Sequence, residues 1–131
     1  MKLSDLISPD HCSGPDAEIT GLTLDSRAVQ PGFLFAALPG LHVHGRDFIP
    51  QAVKAGAAAI LTEPGIDTGS VPAIHDADAA ARFGRLAARF YPRQPEVIAA
   101  VTGTNGKSST VDFLRQIWRG AGIDGASLGT L

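Results

Sequence analysis

The sequence predicts an α/β fold in two parts: a small mixed-sheet domain over residues 1–92, then the start of a βαβ unit over residues 93–131. First, short apolar runs alternate with helical patterns and turn signals in the first part. Second, two prolines lie within residues 92–95, directly before a new apolar run, and form the best linker in the chain. Third, that run leads into a glycine loop and then into a helical pattern.

The first elements are short. The spacing of apolar residues predicts a helix over residues 3–7, and the polar stretch over residues 10–18 is interpreted as a loop. Alternation predicts a strand over residues 19–24, and a nearly continuous apolar run predicts a second one over residues 33–38. A loop over residues 39–45 follows.

Three further elements are predicted: a helix over residues 48–55, a strand over residues 57–62 and a short strand over residues 71–74. Asp47 is the expected N-cap of that helix. Pro72 lacks a backbone donor and therefore predicts that the last strand lies at the sheet edge. Asp76 or Asp78 is expected to cap a helix that runs to about residue 91.

The composition excludes several classes of protein. A hydrophobic content of 44% with 18% charged residues is typical of a soluble globular protein. A net charge of −2 without a basic block gives no reason to expect nucleic-acid binding. Cys12 is the one cysteine, so neither an internal disulfide framework nor a cysteine zinc site is possible. No apolar run is long enough to span a membrane, and we expect a cytoplasmic protein without membrane contact.

The second part predicts one βαβ unit. Its elements are a strand over residues 97–101, a helix over residues 107–119 and a strand over residues 126–131. One such unit has no second layer to bury its apolar side. We therefore expect that the nucleotide domain of the parent protein is truncated here, and that the exposed unit can self-associate.

The glycine loop is the main functional motif, and it reads Gly103-Thr104-Asn105-Gly106-Lys107-Ser108-Ser109. The common P-loop spacing requires a glycine at position 101, where this chain has Val101. The alternative is a βα turn that merely contains glycines and a lysine. Strand, loop and helix occur in the order that a phosphate site requires, so the phosphate-binding interpretation is favoured.

Residues 102–109 resemble the ATP loop of the Mur ligases, the cytoplasmic ATP-dependent, amide-forming enzymes of peptidoglycan precursor synthesis. A related loop occurs in folylpolyglutamate synthases. Threonines usually follow the lysine in Mur ligases, whereas Ser108 and Ser109 stand here and keep the hydroxyl.

The first part narrows the resemblance. The segments Leu24-Asp25-Ser26-Arg27, 31–37, 45–49 and 52–57 are similar to the N-terminal domain of the MurE and MurF ligases. The glycine loop and residues 127–131 look more like MurE. This resemblance implies an enzyme that adds meso-diaminopimelate or L-lysine to UDP-N-acetylmuramoyl-L-alanyl-D-glutamate (UDP-MurNAc-L-Ala-D-Glu) through an acyl phosphate.

The resemblance also implies roles for individual residues. ATP would be bound by Gly103, Thr104, Asn105, Gly106, Lys107, Ser108 and Ser109. Lys107 would neutralise the transferring phosphoryl group, and Ser108 would hold Mg²⁺. The UDP part of the substrate would contact Leu24, Ser26, Leu41, His42 and Val43.

Other polar residues have simpler interpretations. Asp25 and Arg27 are expected to brace their turn as an ion pair. His42 and His44 could form a metal pair, but no third ligand has suitable spacing, so exposed loop histidines are favoured. Position 44 is commonly aspartate in the Mur ligases.

Two alternatives remain open, a MurF-type ligase that adds D-Ala-D-Ala and a non-catalytic nucleotide-binding module. The resemblance implies that the general base and the amino-acid pocket lie beyond residue 131. The 131-residue chain is therefore expected to be inactive by itself.

Overall fold

A computed structural model of the chain describes residues 1–7, 12–40, 43–93 and 95–129. The chain divides into two compact units, Met1–Gln94 and Pro95–Leu131, here called the first and the second unit. Among the described residues, no helix is both long enough and apolar enough to cross a membrane.

The first unit is built on a five-stranded sheet with the order β1-β5-β4-β3-β2. The strands are β1 (Cys12–Ser13), β2 (Gly21–Thr23), β3 (Phe33–Ala36), β4 (Ala59–Thr62) and β5 (Ala73–His75). Strands β2 to β5 are parallel, and β1 pairs antiparallel with β5. The mixed sheet confirms the predicted α/β class.

Helices cover both faces of this sheet. They are α1 (Leu3–Leu6), α2 (Ile49–Lys54) and α3 (Ala79–Phe90), and two short 3₁₀ helices span Ser26–Ala28 and Gly45–Phe48. Consecutive residues of β3 enter different hydrophobic clusters: Leu34 packs with α1 and α3, whereas Phe35 packs with α2. Full burial of one such side chain contributes about 1.5–3 kcal/mol, so the two clusters fix the sheet between its helices.

Two predictions about strands in the first unit are wrong. Residues 10–18 were expected to form a loop, yet β1 lies among them and pairs with β5. β5 was expected at the edge because of Pro72, yet it lies between β1 and β4. The proline precedes the strand, and its carbonyl accepts a hydrogen bond from the Ile60 N–H at 2.9 Å. The missing donor of the proline therefore leaves the ladder of β5 intact.

The predicted N-cap residue is wrong for α2 and correct for α3. Asp47 is not the N-cap of α2, because it lies inside the second 3₁₀ helix. That 3₁₀ helix is capped by His44, whose side chain accepts from the Arg46 N–H. Asp78 caps α3 by accepting from the Ala81 N–H at 3.0 Å, which confirms one of the two predicted caps.

The second unit contains one helix, α4 (Lys107–Gly120), within the residues that the structure describes. This agrees with the predicted helix. The predicted strand over residues 97–101 is absent, and Val97 and Ile98 are 66% and 74% exposed. Residues 126–129 also lack strand structure, and residues 130–131 lie outside the described part. A strand needs a hydrogen-bonded neighbour, and the described residues of this unit supply none.

Candidate functional site

The first unit has an open cleft of about 610 Å³ that begins where β2 ends. Ligands of parallel α/β sheets bind outside the carboxyl ends of the strands, which makes this position a candidate site. The cleft is lined by Leu24, Asp25, Ser26, Arg27, Phe35, Leu38, Gly40, Val43, Gly45, Phe48 and Gln51.

Three of the residues predicted to contact the UDP group line this one cleft. Leu24 and Val43 are 55% and 60% exposed, whereas Ser26 is 8% exposed. Leu41 and His42 lie outside the described residues. Exposed aliphatic groups beside a buried hydroxyl give the cleft an apolar surface for a planar ring and a polar group that can fix its orientation.

The hydroxyl of Ser26 is held in place by α2. It donates a hydrogen bond to Oε1 of Gln51 at 3.2 Å. Gln51 could not be predicted from the sequence, because one exposed glutamine in a short helix carries no recognisable spacing. Phe48 and Leu38, which also line the cleft, were missed because apolar residues in this context are expected in the core.

Asp25 and Arg27 brace the rim of the cleft, as predicted. Asp25 accepts from the Arg27 backbone N–H at 2.9 Å and from its guanidinium at 2.8–3.2 Å. The hydrogen bonds from the Arg27 side chain, followed by that from its backbone, lower the pKa of Asp25 from 3.8 to about 2. The carboxylate thereby caps the 3₁₀ helix that carries Ser26.

Residues 38–40 and 43–45, here called the cleft loop, form one wall of the site. Its ends are joined by a hydrogen bond from the Gly45 N–H to the Leu38 carbonyl at 2.8 Å. A side chain at Gly45 would bring a Cβ within 2.6 Å of backbone atoms of Ala37 and Leu38. Glycine is thus required for the two ends to approach, and this approach sets the position of Val43.

The prediction that His44 is an exposed loop histidine is wrong. Its side chain is 22% exposed, and Nε2 lies 3.0 Å from Oε2 of Glu63, the residue after β4. Its Nδ1 accepts from the Arg46 N–H at 3.1 Å. Among the described residues, no three histidine, cysteine, aspartate or glutamate side chains are grouped so that they could hold a metal ion.

In the second unit, the glycine loop turns directly into α4. Gly106 is the N-cap residue with φ of 77°, a left-handed conformation that favours glycine. Lys107 folds back over the loop, and its Nζ donates to the carbonyls of Gly103 at 2.5 Å and Thr104 at 3.4 Å. Loop and lysine therefore lie together at the start of the helix.

This arrangement fits a phosphate group. The hydrogen-bond ladder of α4 begins at Thr110, whose N–H donates to the Gly106 carbonyl at 2.9 Å. The N–H groups that precede Thr110 in the first turn therefore remain available to an anion. An open hollow of about 680 Å³ is lined in part by Lys107, Ser108 and Ser109. Thr104, Asn105 and Ser108 are exposed.

The same arrangement fits Mg²⁺ only together with phosphate oxygens. Ser108 can offer one hydroxyl ligand, and the described residues hold no acidic cluster that would supply the others. Mg²⁺ is commonly held by a few protein groups, substrate phosphates and water, so this is an acceptable donor set.

The first unit is an α/β domain with a cleft at the carboxyl edge of a parallel sheet, and the second unit carries a glycine loop at a helix N-terminus. Residues 18–91, more than half of the chain, match the family described as "Mur ligase family, catalytic domain". The chain belongs to the Mur ligase family, as the resemblance of its motifs implied.

Relatives of known name extend this result. The chain is 48% identical to a UDP-N-acetylmuramoyl-L-alanyl-D-glutamate--2,6-diaminopimelate ligase of Bradyrhizobium diazoefficiens, over 100% of this chain and 28% of the relative. A ligase of the same name from Caulobacter vibrioides is 48% identical over 99% of this chain and 26% of the relative. The chain thus spans little more than a quarter of the length of these curated relatives.

Solved structures agree with the fold. A UDP-N-acetylmuramoyl-L-alanyl-D-glutamate--2,6-diaminopimelate ligase matches 93% of this chain and 26% of its own, with a TM-score of 0.64 and 26% identity. MurF from Acinetobacter baumannii matches 80% of this chain and 23% of its own, with a TM-score of 0.66 and 29% identity. MurF from Thermotoga maritima in complex with ADP matches 76% of this chain and 23% of its own, with a TM-score of 0.61 and 26% identity.

Proposed function

We propose that this chain is the N-terminal part of an ATP-dependent ligase that adds the third amino acid to UDP-MurNAc-L-Ala-D-Glu in peptidoglycan precursor synthesis. The observation that carries this proposal is the cleft in the first unit, where Leu24, Ser26 and Val43 line one surface. The names of the relatives that are 48% identical support the MurE reaction. Their names also favour diaminopimelate over L-lysine as the amino acid.

The two units take different roles in this proposal. Residues 1–92 bind the UDP part of the substrate, and residues 93–131 begin the central ATP-binding domain. In the cleft, Leu24 and Val43 cover the faces of the uracil ring, and the Ser26 hydroxyl bonds its polar edge. Leu41 and His42 belong to the same proposed contact surface through the cleft loop. A reaction that uses ATP as the phosphoryl donor agrees with the cytoplasmic location expected from the sequence.

The glycine loop supplies electrostatic stabilisation. Backbone N–H groups from Gly103 to Lys107 surround the phosphates, with Thr104 and Asn105 between the glycines and Ser109 behind the lysine. Lys107 would move from the loop carbonyls to the transferring phosphoryl group and neutralise its charge, and Ser108 would contribute a hydroxyl to Mg²⁺. Bound Mg²⁺ would draw charge from the phosphate oxygens.

The chemistry has two steps. The γ-phosphoryl group of ATP passes to the side-chain carboxylate of D-glutamate, which yields an acyl phosphate and ADP. The amine of the incoming amino acid then attacks the acyl carbon and loses a proton, and inorganic phosphate leaves. The residues that deprotonate the amine and select the amino acid belong to the parent protein outside this chain.

Titration of the 131-residue chain with UDP, followed by amide NMR, tests the proposal. We expect shift changes at Ser26 and Val43, with affinity reduced about two- to tenfold in Ser26→Ala, the usual range for one hydrogen bond. Ser70→Ala, at an exposed serine away from the cleft, is the matched control. Shift changes confined to other surfaces, or equal affinity in both variants, would contradict the assignment.

The non-catalytic nucleotide-binding module is the second candidate, because residues 97–101 form no strand ahead of the glycine loop. Product formation by the full-length parent protein separates the two candidates. Lys107→Ala should abolish ATP-dependent product formation, whereas Lys54→Ala, at an exposed lysine of α2, should leave it unchanged. A parent protein that forms no ATP-dependent product would be a non-catalytic module.

A further inference from the structure

The contact between His44 and Glu63 joins the cleft loop to the sheet. His44 is near the C-terminal end of the loop, where Pro39 and His44 form a backbone bridge. Glu63 directly follows β4, which is paired on both sides within the sheet. The 3.0 Å contact from Nε2 to Oε2 therefore connects a projecting loop to a fixed strand end.

The hydrogen bonds of the ring define its protonation pattern. Because the Arg46 N–H donates to Nδ1 at 3.1 Å, that nitrogen must carry a lone pair. The proton of the neutral ring then lies on Nε2 and is donated to the Glu63 carboxylate. One side chain thus caps the second 3₁₀ helix and attaches the loop to the sheet.

We propose that His44 and Glu63 are positioning residues that hold the cleft loop in its ligand-binding geometry and so set the affinity for the uridine nucleotide without contacting it. This inference rests on the proposed function of the cleft. Neither side chain lines the cleft, whereas Val43 and Gly45, the neighbours of His44 in the chain, both do.

The apparent affinity of the cleft depends on the fraction of molecules in which the cleft loop has the binding geometry. The loop is otherwise held by hydrogen bonds within its own backbone, from the Gly45 N–H to the Leu38 carbonyl at its ends and from the Gly40 N–H to the Val43 carbonyl at 3.1 Å. Loss of the Glu63 contact leaves these bonds in place and allows the loop to move away from the sheet. The apparent dissociation constant rises in inverse proportion to the fraction of molecules that keep the competent geometry.

Three variants of the full 131-residue chain separate positioning from general stability, with UDP as the probe. Glu63→Ala removes the acceptor, and we expect UDP affinity to fall about three- to tenfold. His44→Asn keeps an oxygen that can cap the Arg46 N–H but cannot reach Glu63, and it should cause the same loss. Glu63→Gln keeps a carbonyl acceptor for Nε2–H and should restore affinity to within about twofold of the original.

Two further measurements complete the design. The double variant His44→Asn/Glu63→Ala should bind UDP no more weakly than either single variant, because both remove the same contact. Glu18→Ala, at an exposed glutamate of the first unit, is the control and should leave affinity and Tm unchanged. Additive losses in the double variant, or failure of Glu63→Gln to restore affinity, would overturn the proposal.

An NMR measurement without ligand distinguishes this inference from the proposed function. Glu63→Ala should shift the amide signals of Val43 and Gly45, whereas Glu18→Ala should not. The side-chain nitrogen spectrum of His44 should show the Nε2–H form in the original chain. If these signals behave as expected but UDP does not bind, the proposed function fails and the positioning contact stands. If UDP binds and the variants equal the original, the positioning role is wrong.

Discussion

At the rim of the cleft, the consecutive residues Asp25, Ser26 and Arg27 make different contacts. Asp25 and Arg27 satisfy each other, with the shortest of their contacts at 2.8 Å. Ser26 lies between them and is 8% exposed, with its hydroxyl directed to Gln51. The charged pair holds the backbone of the 3₁₀ helix. The sequence predicted this pair because neighbouring opposite charges at a strand end can pair locally, whereas contact between Ser26 and a ligand is implied by the family resemblance and stays a prediction.

The first prediction concerns the titration of Asp25. Its pKa of about 2 lies below the ordinary 3.8, so its interactions stabilise the folded chain above pH 4 and are lost as the pH falls towards 2. Arg27→Gln removes the guanidinium but keeps the backbone N–H. The pKa of Asp25 should therefore rise to a value between about 2 and 3.8. A carboxyl-carbon NMR titration of both proteins measures the midpoints, and equal midpoints would show that Arg27 is not the cause.

At the scale of elements, glycines at different positions have opposite effects. Gly84 lies inside α3, and a Cβ added there meets no atom within 4 Å. Gly45 begins the second 3₁₀ helix, and a Cβ there would lie 2.6 Å from backbone atoms of Leu38. Gly84 therefore destabilises α3 at a position where a side chain would fit, whereas Gly45 allows the two ends of the cleft loop to approach each other.

The second prediction uses this pair of glycines. Gly84→Ala should stabilise the first unit by about 0.5–1 kcal/mol, because alanine loses less backbone entropy in a helix. Gly45→Ala should destabilise it by about 1–3 kcal/mol, the range for overpacking against atoms that cannot yield. Urea unfolding of both variants, followed by circular dichroism, measures the free energies. Effects of the same sign at both positions would contradict the structure.

Sequence patterns predicted elements well where local signals and tertiary partners agree. The apolar runs of β3 and β4 and the Asp78 cap of α3 are examples. The pattern failed for residues 97–101, because an apolar run of strand type still needs a neighbouring strand. Asp47 does not cap α2, because it lies in a 3₁₀ helix that His44 caps; the cleft loop brings the imidazole to the Arg46 N–H, and this position depends on long-range contacts. Within the cleft, Gln51 was beyond prediction for the same reason.

At the scale of the whole molecule, the two units differ in the support that they provide for their sites. The first unit encloses two hydrophobic clusters around its sheet. In the second unit, none of the described residues of α4 is buried. The cleft is therefore supported by a packed hydrophobic core, whereas the glycine loop precedes a helix that makes few tertiary contacts.

The third prediction follows from this contrast and from the chain's share of its relatives. With 28% of the length of a 48% identical ligase, the chain should form no ligation product from ATP, UDP-MurNAc-L-Ala-D-Glu and diaminopimelate. UDP binding should nevertheless persist, because the cleft lies wholly within the packed first unit. A product assay by mass spectrometry and calorimetric UDP titration test the two parts separately. Amide product from the pure chain would refute the first.

The last prediction concerns the exposed apolar side of α4. Phe113 and Ile117 are 63% and 66% exposed and lie four residues apart, so they share one face of the helix. Exposed apolar groups of this size favour association, because burial removes their surface from water. We therefore expect the chain to self-associate through the second unit, with a mass that rises with concentration in sedimentation equilibrium.

Replacement of both residues tests this face directly. Phe113→Ser/Ile117→Ser should weaken association at least about tenfold, because each fully buried side chain of this kind contributes about 1.5–3 kcal/mol. Val43→Ser, which removes a similarly exposed aliphatic group from the first unit, should leave the association constant unchanged. A strict monomer at all concentrations would contradict self-association. Equal weakening by Val43→Ser would instead locate the contact at the cleft, so the two variants together decide which unit carries the interface.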